Sequence, residues 1–192
     1  SYSDGTSLLN AIYMKTGLIT YYGQTPGNYA PPAVYTQKQF FSHLVDGAAE
    51  NFVSNSQWHT LCGGVGEGIL IGGYLLNFAL SLGSPFFVFD QTKQYVLFLE
   101  DHEMFSSVPE ISPLLSHIEQ SGFMKNVSGL LFGHYSTPLS EPLLDRLKRL
   151  GEKNQIPVVY CDDFGHGINH AILPIGGRVC LNAVDKTMKF MD

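Results

Sequence analysis

Cysteine, tryptophan and charge are all scarce in this 192-residue chain, at 3 residues, 1 residue and 15% of positions. Cys62, Cys161 and Cys180 are odd in number and lack zinc-knuckle spacing. That excludes a disulfide scaffold and points to a reducing, cytoplasmic setting. The 11 Lys and Arg form no cluster against 17 Asp and Glu, a net charge of −6. A nucleic-acid binder needs a basic stripe, so that class is excluded. Long hydrophobic runs are missing too. The longest, from Gly68 to Leu82, is broken by Gly72, Gly73, Tyr74, Asn77 and Ser81, too short and interrupted to cross a membrane. No signal peptide is visible and the chain opens without Met at Ser1-Tyr2-Ser3-Asp4, which leaves targeting by an upstream segment open. What is abundant is apolar surface: 44% of residues are hydrophobic, which excludes disorder.

Periodicity predicts alternating helices and short strands, an α/β class. A helix is expected from Thr6 to Lys15, with Ser3 or Asp4 as N-cap and Gly17 as stop. A strand follows over Leu18 to Tyr22, then a Gly- and Pro-rich linker from Gly23 to Pro32. Thr36 to Ala49 reads as an amphipathic helix capped by Thr36. Gly63, Gly64, Gly66 and Gly68 punctuate a loop before Ile69 to Leu82, read as a turn and a buried helix. Strands are expected over Gln94 to Leu99, Val127 to Phe132 and Pro157 to Cys161. Helices are expected over Val108 to Ser121 and Ser140 to Lys153, with Pro109 and Pro113 fitting only near a first turn. Short antiparallel strands over Ala171 to Leu173, Arg178 to Asn182 and Met188 to Met191 close the chain.

Sites in α/β proteins gather at the carboxyl ends of strands. Three polar clusters occupy such ends or helix starts: Ser3-Asp4-Gly5, Glu100-Asp101-His102-Glu103 and Asp162-Asp163-Phe164-Gly165-His166-Gly167. A serine, a carboxylate and a histidine are the parts of an acyl-transfer triad. Each also has a plain structural reading. On its residues alone Ser3 reads first as a helix cap, and it lacks the G-x-S-x-G pattern. Glu100 and Glu103 serve as solvated loop acids. His166 between two glycines is the most pointed signal, because glycine lets backbone and substrate approach closely.

Four ordered blocks carry a resemblance. They are Tyr2-Ser3-Asp4-Gly5-Thr6-Ser7-Leu8-Leu9-Asn10-Ala11-Ile12-Tyr13 with Lys15-Thr16-Gly17-Leu18, then Gly68-Ile69-Leu70-Ile71-Gly72-Gly73-Tyr74-Leu75. Val96-Leu97-Phe98-Leu99-Glu100-Asp101 follows, and Phe164-Gly165-His166-Gly167 with Leu173-Pro174-Ile175-Gly176 completes the set. Together they resemble the LD-carboxypeptidases, a serine peptidase family that includes the microcin C immunity peptidases. The resemblance implies Ser3 as nucleophile, Glu100 as orienting carboxylate and His166 as general base. Glu100 is chosen over Glu103 because it directly follows the strand. It also implies Asp4 N–H as one oxyanion donor, with Gly72 and Gly73 as further oxyanion or substrate-binding positions. Family members begin about half a domain earlier, with a glycine-rich loop that supplies a second oxyanion donor. Residues 1–35 are therefore expected to be the end of an N-terminal α/β nucleophile domain with its linker. Residues 36–192 are expected to form a C-terminal mixed β/α domain carrying Glu100 and His166. Two departures stand out: Tyr74 replaces the Asn that often follows the Gly-Gly pair, and an Arg of the following helix is absent near Pro113.

The expected activity is hydrolysis of an amide bond without a cofactor. The substrate is either a muropeptide, cleaved in peptidoglycan recycling, or a peptidyl or aminoacyl nucleotide of the microcin C kind. A homodimer is implied by the family. Cations near the motifs are few, Lys93 and Arg178 flanking them, while glycines from Gly63 to Gly73 offer backbone N–H groups for a carboxylate. Two alternatives remain. One is a metal-dependent hydrolase using Asp162, Asp163, His166 and His170; the other is a non-catalytic, truncated or degenerate binding domain. Trp58 and His59 read as core or lid anchors, Cys161 as a buried inert thiol, and Tyr29, Tyr35 and Tyr74 as pocket walls.

Overall fold

The computed structural model describes residues 1–28, 33–47 and 50–191. Helix α1 covers Gly5–Thr16, and strand β1, Thr20–Tyr22, follows Gly17 at the helix's left-handed C-cap. Helix α2, Val34–Phe40, runs into a π-helical turn over Phe41–Val45. The remaining elements alternate as the chemistry of their runs dictates. They are β2 (His59–Cys62), β3 (Val65–Tyr74), α3 (Leu75–Ser81), β4 (Tyr95–Glu100), α4 (Val108–Gln120), β5 (Val127–His134), α5 (Glu141–Asn154), β6 (Val158–Gly165), β7 (Leu173–Ile175), β8 (Arg178–Asn182) and β9 (Thr187–Met191). The α/β expectation holds: seven strands form one mixed sheet in the order β2-β6-β5-β4-β3-β8-β9, and β1 pairs with β7 in a small ribbon.

The sheet's centre, β3 to β6, is parallel, with antiparallel strands at its margins. A parallel centre is buried on both faces, so its strands are apolar throughout and not alternating. Strand β4 shows this most plainly, with all six residues buried. Tyr95, Leu97 and Leu99 enter a core with α3, α4 and α5 side chains such as Phe78, Leu115 and Leu147. Val96 and Phe98 enter a second core with Tyr22, Leu173 and Val179. Because the central strands run the same way, Tyr74, Glu100, His134 and Gly165 all end on one side of the sheet. No helix among the described residues is long and apolar enough to cross a membrane.

Several boundaries differ from expectation for local reasons. Residues 65–74 form β3, not a loop and helix start, since the segment pairs with β8 and then with β4. Helix α2 starts at Val34 with Ala33 as cap, and Thr36 is buried inside it; Ala49, the predicted end, lies outside the described residues. Pro113 sits inside α4, beyond its first turn, where the Ser107–Glu110 capping box and Pro109 secure the start. Strand β6 continues through Asp162 and Asp163 to Gly165. Those acids are strand residues, not a loop beyond the strand. Tyr29 lies outside the described residues.

Candidate active site

Helix α1 is fastened across the end of β3 by two buried polar residues. Thr6 Oγ1 accepts from Tyr74 N–H at 2.8 Å. Asn10 donates to the Gly72 carbonyl at 2.8 Å and accepts from Gly72 N–H at 3.3 Å. Gly73, at φ +137°, lies so close to Thr6 that a side chain there would collide with it. The Gly72 N–H is already bonded to Asn10, and Gly73 is the seat of α1.

This seat places Ser3, just before α1, over the carboxyl ends of β3 and β4. Ser3 has φ +56°, a left-handed conformation that is strained for a residue with a side chain. A nucleophile elbow uses the same device to lift its hydroxyl clear of the backbone, although the G-x-S-x-G pattern is absent here. The Ser3 hydroxyl does not cap the helix. Its Oγ lies 3.0 Å from His166 Nε2, and His166 Nδ1 lies 2.8 Å from Glu100 Oε2. Glu100 is the last residue of β4 and wholly buried. Gly165, at φ +103°, clears room for it: a side chain at 165 would press on the Glu100 methylenes and carboxylate. With Glu100 accepting from Nδ1–H, Nε2 is left to accept the Ser3 proton.

Burial alone would depress the His166 pKa, but the hydrogen bond and charge of Glu100, aided by Asp101 and Asp4, outweigh it and leave it raised. The largest charges that bear on His166 are therefore acidic. Three aromatic rings surround the imidazole: Tyr2 at 5.1 Å, Tyr74 at 5.4 Å and Phe105 at 4.9 Å between centroids. The Asp4 N–H, at the start of α1, has no acceptor among the described residues. It is available as a donor beside Ser3 Oγ. The sequence marks Tyr22 only as part of a strand. Its hydroxyl accepts from Ser3 N–H at 3.0 Å and donates to Glu100 Oε1 at 2.5 Å.

The residues of the metal alternative are not gathered. Asp162 Oδ1 is 2.7 Å from His134 Nδ1 and accepts from Tyr160 O–H at 2.9 Å. Asp163 accepts from Asn55 N–H and from the Trp58 indole N–H, both at 2.8 Å. His166 is held by Glu100 and Ser3. Among the described residues no three His, Cys, Asp or Glu converge to hold a metal ion. Trp58 is a core residue through that bond to Asp163, and Cys161 is fully buried with its thiol pushed far up by burial. Tyr35 is buried with its hydroxyl on the Val53 carbonyl. It forms part of the second core.

In sequence and fold the chain is similar to known proteins. Residues 67–181 match the family model described as the LD-carboxypeptidase C-terminal domain. A Bacillus subtilis (strain 168) protein named "Probable murein peptide carboxypeptidase" is 27% identical over 198 residues, 97% of this chain and 60% of its own. The crystal structure of an MccF-like protein from Bacillus anthracis superposes with a TM-score of 0.82 at 25% identity, covering 99% of this chain and 66% of that one. The microcin C7 self-immunity protein MccF, solved in complex with aspartyl sulfamoyl adenosine, has the same fold. Its TM-score is 0.80 at 23% identity, over 100% of this chain and 66% of that one. The chain thus spans less than two thirds of the length of these relatives.

Proposed function

The chain belongs to the LD-carboxypeptidase family, and from that premise we propose that it is a serine hydrolase that cleaves an amide bond through Ser3, His166 and Glu100. One observation carries the reading: the continuous relay from Ser3 Oγ through both His166 nitrogens to a fully buried Glu100 carboxylate. Ser3 Oγ attacks the scissile carbonyl carbon while His166 Nε2 takes its proton. The developing oxyanion accepts from Asp4 N–H. The tetrahedral intermediate then expels the amine, which leaves with the proton from His166. Water attacks the acyl-enzyme in the reverse sequence and restores Ser3. Glu100 holds the imidazole in the needed tautomer and stabilises the imidazolium.

Two substrates fit the family's relatives: the murein peptide that the Bacillus subtilis relative's name specifies, and an acidic aminoacyl sulfamoyl nucleoside of the kind bound in the MccF complex. The deciding measurement is kcat/KM on a tetrapeptide ending in D-Ala against aspartyl sulfamoyl adenosine. A preference above about a hundredfold, near 3 kcal/mol of transition-state discrimination, assigns the substrate. Activity that survives Ser3→Ala, or that EDTA abolishes and zinc restores, overturns the serine mechanism.

A further inference from the structure

We infer that Tyr22 is a positioning residue of this site, its one hydroxyl tying the backbone of the nucleophile to the carboxylate of the triad. The inference rests on the serine-hydrolase reading above and extends it to a residue outside the triad. Tyr22 lies on β1, which is anchored to β7 through Thr20↔Ile175, Tyr21↔Pro174 and Tyr22↔Leu173. Its ring is fully buried, with its centroid 5.3 Å from that of Phe98 on β4. The hydroxyl therefore has a fixed place, and both of its hydrogen-bonding roles are used. It accepts from Ser3 N–H and donates to Glu100 Oε1. A phenol has one proton to give, and here burial first, then the Glu100 charge, raises its pKa so that it stays a donor.

Two consequences follow from that double contact. Ser3 is held at φ +56°, a conformation that persists only where its surroundings over-determine it. The Tyr22 oxygen on Ser3 N–H is one such restraint, alongside the Thr6 N–H on the Ser3 carbonyl. Glu100, wholly buried, has its two oxygens divided between His166 and Tyr22. Without the phenol, its negative charge is dispersed over one partner fewer, and His166 must carry more of the compensation.

The test is Tyr22→Phe, which keeps the ring against Phe98 and removes only the hydroxyl. Two readouts apply to the chain as it stands: the rate at which a fluorophosphonate probe labels Ser3, and the NMR titration of the His166 imidazole. The groups facing His166 are Glu100, Asp101, Asp4, His102 and His170, with the rings of Tyr2, Tyr74 and Phe105. Tyr22→Phe leaves all of them unchanged. Labelling should slow by roughly 10- to 100-fold, the scale of a small misplacement of a nucleophile. The His166 midpoint should rise by about half a pH unit or more. A folded Tyr22→Phe protein with the wild-type rate and midpoint overturns the inference. If the variant does not fold, amide exchange at Ser3 in the wild type decides, because exchange as fast as in an unfolded chain overturns it. The nucleophile reading fails separately, if labelling survives Ser3→Ala or the wild type is not labelled at all. The His166 titration still decides the role of Tyr22 in that case.

Discussion

Replacing Asp101 by Asn should change the stability of this protein by an amount that grows with pH. Asp101 follows Glu100 and is fully buried. Its Oδ1 accepts from His102 N–H at 2.7 Å, while Oδ2 has no hydrogen-bond partner among the described residues. Burial pushes this carboxyl from 3.8 up to about 6; the His102 amide and the Ser106 hydroxyl pull it back only in part, and the Glu100 charge adds to the rise. A carboxyl whose pKa is higher in the folded state binds its proton more tightly there. Stability therefore falls as pH climbs from about 3.8 and levels off above about 6. At ~1.36 kcal/mol for each tenfold, the loss at pH 8 is about 3 kcal/mol, and roughly half of it is already present at pH 5.

Asn keeps the acceptor for His102 but buries an amide that needs partners of its own, a cost of about 1–2 kcal/mol that does not vary with pH. The net gain at pH 8 is then about 1–2 kcal/mol. The cleaner quantity is the difference between pH 8 and pH 5, about 1.5 kcal/mol in favour of the variant, from which the amide cost cancels. Urea denaturation of both proteins at the two pH values measures it. An advantage that is equal at pH 5 and pH 8, or that shrinks as pH rises, would refute the reasoning.

Glu100→Gln removes the hydrogen bond and charge that hold the His166 pKa up and leaves the burial that lowers it. The acid limb of kcat/KM should move down while kcat falls by roughly 10³- to 10⁴-fold; a limb that moves up sinks the assignment. The exposed Glu103, by contrast, should tolerate Gln within about tenfold, and a lethal Glu103→Gln with a silent Glu100→Gln would reverse the choice of carboxylate. Gly73→Ala puts a side chain at φ +137° against Thr6, so denaturation should show a loss of more than about 2 kcal/mol. A loss under about 0.5 kcal/mol would mean that α1 is not seated there. Trp58→Phe strips one donor from the buried Asp163 and should cost about 1–3 kcal/mol in a melt without changing the pH profile of activity.

Much of the fold was legible because the signals were local. The apolar run of β4, the amphipathic pattern of α5 after Ser140 and the Gly17 stop of α1 each depend on residues within a few positions. Glu100 and His166 stand out for a related reason, one closing an apolar strand and the other lying between glycines, whereas Ser3 is marked locally only by its place before a helix. Strand β3 is hidden in the sequence because its glycines look like loop punctuation. What they answer to lies far away in sequence. Gly68 abuts Gln94, Gly66 abuts Ser128, and Gly73 abuts Thr6. Asp162 and Asp163 mislead for the opposite reason. Paired acids signal a loop or a metal site, yet here each has its own remote partner, His134 for one and Trp58 for the other, and the strand runs straight through them.

The residues that place Ser3, Glu100 and His166 are harder to see than those three themselves, because their chemistry is commonplace. Thr6 and Asn10 lie one turn apart on α1, where a polar residue ordinarily marks the solvent face. Both are buried, and both spend their side chains on β3, more than sixty positions away. Tyr22 sits in a three-residue strand whose composition predicts a strand and nothing further. Its hydroxyl reaches Ser3 across 19 positions and Glu100 across 78. Catalytic residues need unusual chemistry and announce it by type. Positioning residues need only the right length and one hydrogen-bonding atom, so any Thr, Asn or Tyr in the chain qualifies until the fold selects one. That asymmetry makes the hydroxyl of Tyr22, and not another ionisable group, the informative atom to remove.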